Sequence, residues 1–263
     1  MTTADVVAEM LPVKRDGMGH WLTSFAAMLR WEVGNMRLLL PLTAMTQMLS
    51  GAGLVLGFGL LFDEVPESTA LFLSTGAVVI TLVLVGLILG PQLVAQQKLS
   101  GSYDFLASMP VPRSAASAAW LALNVIIALP GMLAALLVAV WRYDVVFSVT
   151  WLVVPAVTLT LFTGTLLGHA MAHAIPRPEV TQLLSQVLIF AIFGFSPIAY
   201  PEENLPSWLA SLHDYLPFEH MANVVRDSLT TGLTDDVGRS YLVLGAWSVV
   251  AAVISAAVLR RRA

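Results

Sequence analysis

Formal charges in this chain are spread so unevenly that they divide it into blocks. Between Arg37 and Asp63 lie 25 consecutive residues without one. Comparable windows occupy 70–97, 114–141, 145–176, 180–201 and 240–259. Each reaches the roughly 20 residues that cross a hydrocarbon core. The predicted fold is therefore an all-α integral membrane protein. Six transmembrane helices are expected at about 38–62, 70–95, 114–140, 148–172, 180–200 and 240–259.

Composition narrows the function classes. The chain has 263 residues, of which 57% are hydrophobic and 11% charged, against roughly a quarter charged in ordinary soluble domains. That argues against a soluble enzyme, a disordered protein and a nucleic-acid binder, which needs a basic face. Cysteine is absent, which removes thiol catalysis and cysteine metal sites. Only Lys14 and Lys98 are lysines, and neither follows the glycine-rich loop that a phosphate cradle requires. The chain is expected to bind no ATP itself. The first 20 residues hold Asp5, Glu9, Lys14, Arg15 and Asp16 and no apolar run, so no signal peptide is expected there.

Lysine and arginine in short flanking segments set orientation. With both termini cytoplasmic, the inner side holds Lys14, Arg15, Arg30, Arg37, Lys98, Arg113, Arg177 and Arg260 to Arg262, ten of the 13 basic residues. The outer side holds Arg142, Arg226 and Arg239. This distribution predicts cytoplasmic termini, a tail at 1–19 and a short end at 260–263.

Three stretches are neither span nor tight turn. Residues 20–37 place Leu22, Phe25, Leu29, Val33 and Met36 at helical spacing, opposite Thr23, Arg30 and Arg37. They predict an amphipathic helix on the inner membrane surface, with a solvated tail as the alternative. Residues 96–113 form the one substantial cytoplasmic loop. Residues 201–239 form a long external segment that Pro201, Pro206 and Pro217 divide into short helices near 206–214 and 218–230. These are expected to dip back into the outer leaflet as a re-entrant hairpin, satisfying their own backbone hydrogen bonds. Trp208 and Phe218 are expected at the outer interface, and Arg226, close to Glu219 and Asp227, is expected to pair locally.

The remaining motifs carry less. Gly53–Gly57, Gly86–Gly90 and Gly164–Gly168 have the spacing that lets helices approach closely. They read as packing within one chain or, on the first span, as a dimer contact. Pro130 and Pro155 fall inside the third and fourth spans and are read as interrupting them. His169 and His173 share a helical face, but with no acid between them they read as a polar contact rather than a metal site. The spans offer no carboxylate at mid-depth. Gln47, Asn124, Gln182 and Gln186 are the strongest polar candidates for a pathway. An ion-coupled carrier generally needs intramembrane carboxylates, so the energy is expected from elsewhere. A rhomboid-like intramembrane protease is the rival class. Its Gly-x-Ser-x-Gly turn has no counterpart, since Gly194-Phe195-Ser196-Pro197 is followed by Ile198.

Two segments resemble the ABC-2 family of ATP-binding-cassette exporter permeases. The first runs from Gln96-Gln97-Lys98-Leu99-Ser100-Gly101-Ser102-Tyr103-Asp104-Phe105-Leu106 to Met109-Pro110-Val111-Pro112-Arg113. The family pattern has an acidic-basic stretch, Gly-Thr-x-Glu-x-Leu, then Pro-Val-Ser-Arg opening the third span. Here Gln96 and Gln97 replace the acids, Ser102 the threonine and Asp104 the glutamate. The second is Phe195-Ser196-Pro197-Ile198-Ala199-Tyr200-Pro201, continuing through Leu216-Pro217 to Phe218 and on to Leu229. In the family this run ends the fifth span and forms the external hairpin.

The resemblance implies a domain over 20–259 of the kind found in ABC-2, or type V, exporters. It implies two such permeases side by side, identical or related, driven by two separate ATPase subunits that hold ATP and magnesium. Gly101, Ser102, Asp104, Phe105, Leu106, Pro110 and Arg113 are then the coupling residues that dock into the ATPase. The N-terminal helix, with Phe25, Leu29, Arg30, Glu32 and Val33, is its second contact. Pro206, Trp208, Pro217, Phe218 and Arg226 belong to the external hairpin. The expected activity is export of a drug, peptide or lipid-like amphiphile from a bacterial cytoplasm across the inner membrane. Polysaccharide or lipid-linked glycan permeases and haem-related permeases are the alternatives. No catalytic residue, resident metal, cofactor or nucleic acid is expected; the surrounding partner is membrane lipid.

Overall fold

The structure is a computed structural model describing residues 17–60, 65–102, 111–234 and 236–261. We number its helices α1 (Met18–Met36), α2 (Leu40–Gly59), α3 (Glu67–Leu99), α4 (Arg113–Tyr143), α5 (Val153–Ala174), α6 (Pro178–Phe195), α7 (Ser207–His213), α8 (Pro217–Leu229) and α9 (Val237–Arg261). Six of these, α2 to α6 and α9, are long and apolar enough to cross a membrane. Their order and extent follow the charge-free windows closely. The main departure is the fourth span. Its window is apolar from Val145, yet 144–150 is not helical and α5 begins only at Val153. Asp144 ends α4 in a left-handed conformation (φ 53°), and Thr150 fastens the link through hydrogen bonds from its amide and hydroxyl to the Ser228 carbonyl.

Of these spans, α3 is the most deeply enclosed, with every residue from Leu73 to Val83 buried. Its 33 residues exceed what a bilayer needs. A π-helical turn at Leu84–Leu89 interrupts it, with the Gly90 amide donating to the Val85 carbonyl. Pro91 follows directly and supplies no amide to the carbonyl one turn back, and the wider turn accommodates that gap. At this level α3 meets α5 backbone to backbone. A Cβ on Gly86 would lie 2.9 Å from the Thr165 nitrogen, and one on Gly168 would lie 2.6 Å from the Gly86 oxygen. Two of the three small-residue motifs thus serve packing within one chain. Gly53 and Gly57 meet nothing within 4 Å.

The two prolines do not break their helices. Pro130 lies inside the continuous α4, and Pro155 sits in the first turn of α5, where its missing amide has no partner to lose. Tyr143 closes α4 against α2 by donating its hydroxyl to the Val55 carbonyl at 2.7 Å.

The N-terminal helix forms where amphipathic spacing predicts it, but it turns a different stripe inward. Ser24, Met28, Glu32 and Met36 are buried, at four-residue spacing. Phe25, Leu29 and Val33 are half-buried, while Leu22 and Arg30 are exposed. The helix lies against α4, with the Trp21 indole donating to the Ser114 hydroxyl at 3.0 Å. The broad apolar face is thus shared between α4 and the surroundings, and the seam with α4 runs along its more polar edge.

Candidate functional site

The short helices α7 and α8 pack at one end of the bundle, and the end of α3 and the start of α4 lie at the other. Prolines decide the first of these ends. Pro206 and Pro217 each begin a short helix, as the spacing predicts. Trp208 on α7 is 69% exposed and Phe218 on α8 is half-buried. Helix α8 itself is drawn inside, with Met221, Ala222, Val224, Val225, Arg226, Ser228 and Leu229 all buried. It contacts α3, α5 and α9. Three side-chain contacts join α8 and the link before it to α9. The His220 Nδ1 meets the Ser240 hydroxyl at 3.1 Å, Arg239 pairs with Asp214 at 2.9 Å, and the Trp247 indole donates to the Tyr215 carbonyl at 2.7 Å.

Arg226 is the centre of this end. It is 2% exposed, and among the described residues no carboxylate lies within salt-bridge distance of it. The expected local pairing with Glu219 and Asp227 does not form, because the side chain turns inward from the helix rather than along its outer face. Instead its Nε donates to the Thr75 hydroxyl of α3 at 3.2 Å. One terminal nitrogen donates to Asn223 Oδ1 at 3.2 Å and the other to the Ile198 carbonyl at 2.8 Å. The guanidinium carbon lies 3.5 Å from the Phe72 ring centroid, in cation–π contact. Under this cluster α3 touches the 196–200 link directly, since a Cβ on Gly76 would fall 2.5 Å from the Ile198 oxygen.

Glu219 lies two turns from Arg226 on the same helix. Burial, then the nearby Glu202 and Asp214 carboxylates, push its carboxyl up to about 7, against opposing contributions from Asn223 and Arg226. Asn223 thus stands between a half-buried carboxyl and a buried cation.

At the opposite end, Gly101 adopts φ +74° and turns the chain just after α3, as glycine permits most readily. The hydroxyls of Ser100 and Ser102 lie 2.9 Å apart. Lys98 reaches across to α5, donating to the Ala172 carbonyl and, at 3.2 Å, to the Ile175 carbonyl. A cation suits the carbonyl end of a helix. His169 and His173 lie beside it, their rings tilted by 30° with centroids 3.9 Å apart. Among the described residues no three metal-ligating side chains gather. Arg113 begins α4 and is exposed. Asp104, Phe105, Leu106 and Pro110 lie outside the described residues.

The four polar pathway candidates separate into two groups. Gln47 and Asn124 are buried. Asn124 donates to the Thr165 hydroxyl at 3.3 Å, leaving its Oδ1 unpartnered, and the Gln47 amide nitrogen is unpartnered too. Gln182 is half-buried and Gln186 exposed, both on the peripheral α6. Sequence reasoning missed the neighbours that matter most to Arg226. Thr75 is 151 residues away and no local pattern marks it.

The model of a family described as ABC-2 family transporter protein matches residues 36–257. No curated protein matches the chain.

Proposed function

The chain belongs to the ABC-2 family of transporter proteins, a membrane component that works with an ATPase partner, and on that footing we propose that it exports an amphiphilic substrate. The observation that carries this reading is the character of the interior. Among the described residues, no carboxylate is buried within the six spans, and the buried polar groups there are mostly neutral: Gln47, Asn124, Thr160, Thr165. Among the described residues, such an interior has no carboxylate to load and release a driving proton or sodium ion. It does offer apolar surface with a few hydrogen-bonding groups, which suits a drug, peptide or lipid-like molecule.

In this reading both termini are cytoplasmic, the α7–α8 hairpin faces outward, and the loop at 96–113 docks into the ATPase. Lys98 supports that placement by tying the start of the loop to the end of α5, so a push on the loop is passed into the bundle. The α1 helix is the second contact. Two permeases associate in the inner membrane, and Gly53 and Gly57 offer an open small-residue face on α2 for that contact.

The test is Phe105→Ala in a chain co-expressed with its ATPase. Hydrolysis is expected only when the ATPase is present. The variant should insert normally yet lose ATPase association and transport together. Normal transport by an unchanged complex overturns the docking role, and hydrolysis by the purified chain alone overturns the reading as a whole.

A further inference from the structure

Arg226 poses an energetic question that anchoring alone does not answer. Thr75 lies about 12 Å along α3 from Glu67 at 1.5 Å per residue, and the guanidinium bound to it is buried. A guanidinium stays charged in proteins. Desolvating a charge is expensive, and a carboxylate partner is the usual compensation. Here the acceptors are neutral: a hydroxyl, a side-chain amide and a backbone carbonyl. They come from α3, from α8 itself and from the 196–200 link. Three elements of the hairpin end are therefore joined at one side chain.

We propose that Arg226 is the gate residue of the hairpin end, a buried cation that holds the seam between α3, α8 and the 196–200 link closed while keeping it able to open. Its hydrogen bonds and the Phe72 contact favour the closed seam. Its unmet hydration favours the open one, in which water reaches the guanidinium. The two tendencies oppose each other, so a modest input shifts the balance. The inference rests on reading the chain as a transporter. A plain structural staple would lack the second tendency, and that difference can be measured.

Removing an acceptor and removing the cation should then act in opposite directions. Thr75→Val keeps the shape but leaves the Arg226 Nε–H buried without a partner, which weakens the closed seam. Arg226→Met removes the hydrogen bonds and the desolvated charge together. Replacing buried charges by apolar side chains of similar volume is often neutral or stabilising, so the seam should close more firmly.

The chain contains no cysteine, which makes Ala199→Cys a background-free reporter. Ala199 is 6% exposed and neighbours Ile198 in the seam. The parent carries this cysteine alone, in lipid nanodiscs that leave both membrane faces reachable. The measurement is the rate of modification by a membrane-impermeant methanethiosulfonate. It is read on the plateau above the thiol's own pKa, so that the lost charge does not alter thiol ionisation. Adding Thr75→Val should raise the rate about tenfold, the worth of one hydrogen bond to a charged group. Adding Arg226→Met should lower it below the parent. The proposal is overturned if Arg226→Met labels as fast as the parent or faster, if it fails to give a monodisperse protein, or if Thr75→Val leaves the rate unchanged or slower. No ATPase or substrate enters the measurement. The transporter reading fails separately, in the hydrolysis test above.

Discussion

Helices α1 and α8 look alike in the sequence, each a short amphipathic segment beside the membrane spans, yet the structure treats them differently. Helix α1 rests on α4 and buries one stripe, whereas α8 is enclosed by α3, α5 and α9 over most of its surface. Each also carries a buried charged residue. Burial pushes the Glu32 carboxyl of α1 above its usual range, so this residue can relieve its burial by taking a proton. Arg226 has no such escape, and it is supplied with three acceptors and an aromatic face. An acid at a seam can be accommodated by titration, but a guanidinium has to be built around. That is why α8 is tied to distant elements while α1 is held by packing and few polar contacts.

The largest expected contrast comes from glycine. Gly76→Val places a side chain against the Ile198 carbonyl beneath α8, and overpacking of this kind costs about 3 kcal/mol. Gly34→Val on α1 meets open space. Folded yield and thermal midpoint should fall sharply for the first and barely move for the second. Equal losses would mean that α1 is as tightly enclosed as α8.

A smaller effect is expected from pH. Glu219 holds its proton up to about 7 in the folded chain, against 4.5 ordinarily. Its folded pKa is raised, so its contribution to stability is complete below 4.5 and is lost as pH rises through about 7. The thermal midpoint should therefore decline across that window, and Glu219→Gln should flatten the decline. An unchanged slope in the variant would assign the pH response to another group.

The smallest effect belongs to α1. The sign is the same for Glu32, whose folded pKa is also raised, so alkalinisation should loosen α1 from α4. Trp21, bonded to Ser114, should report this as a red shift in emission. Glu32→Gln should abolish the shift while leaving the response of the hairpin end in place. If Glu32→Gln flattens both, the two ends are coupled and α1 is not held independently of α8.

The number, order and approximate limits of the spans were legible because excluding charge from hydrocarbon acts on consecutive residues, and consecutive residues are what a sequence displays. The proline-started helices α7 and α8 were legible for the same reason, since a missing amide acts locally. The left-handed turn at Asp144, which leaves 145–152 outside α5, could not be read from an apolar window. Which face of α1 turns inward was decided by the fit against α4. The partners of Arg226 were decided in the same way. Its flanking acids suggested local pairing, but the side chain reaches Thr75 and Ile198, which only the packing of α8 against α3 brings near. Hydropathy and turn chemistry are properties of neighbours along the chain, and a buried cation finds its acceptors among neighbours in space.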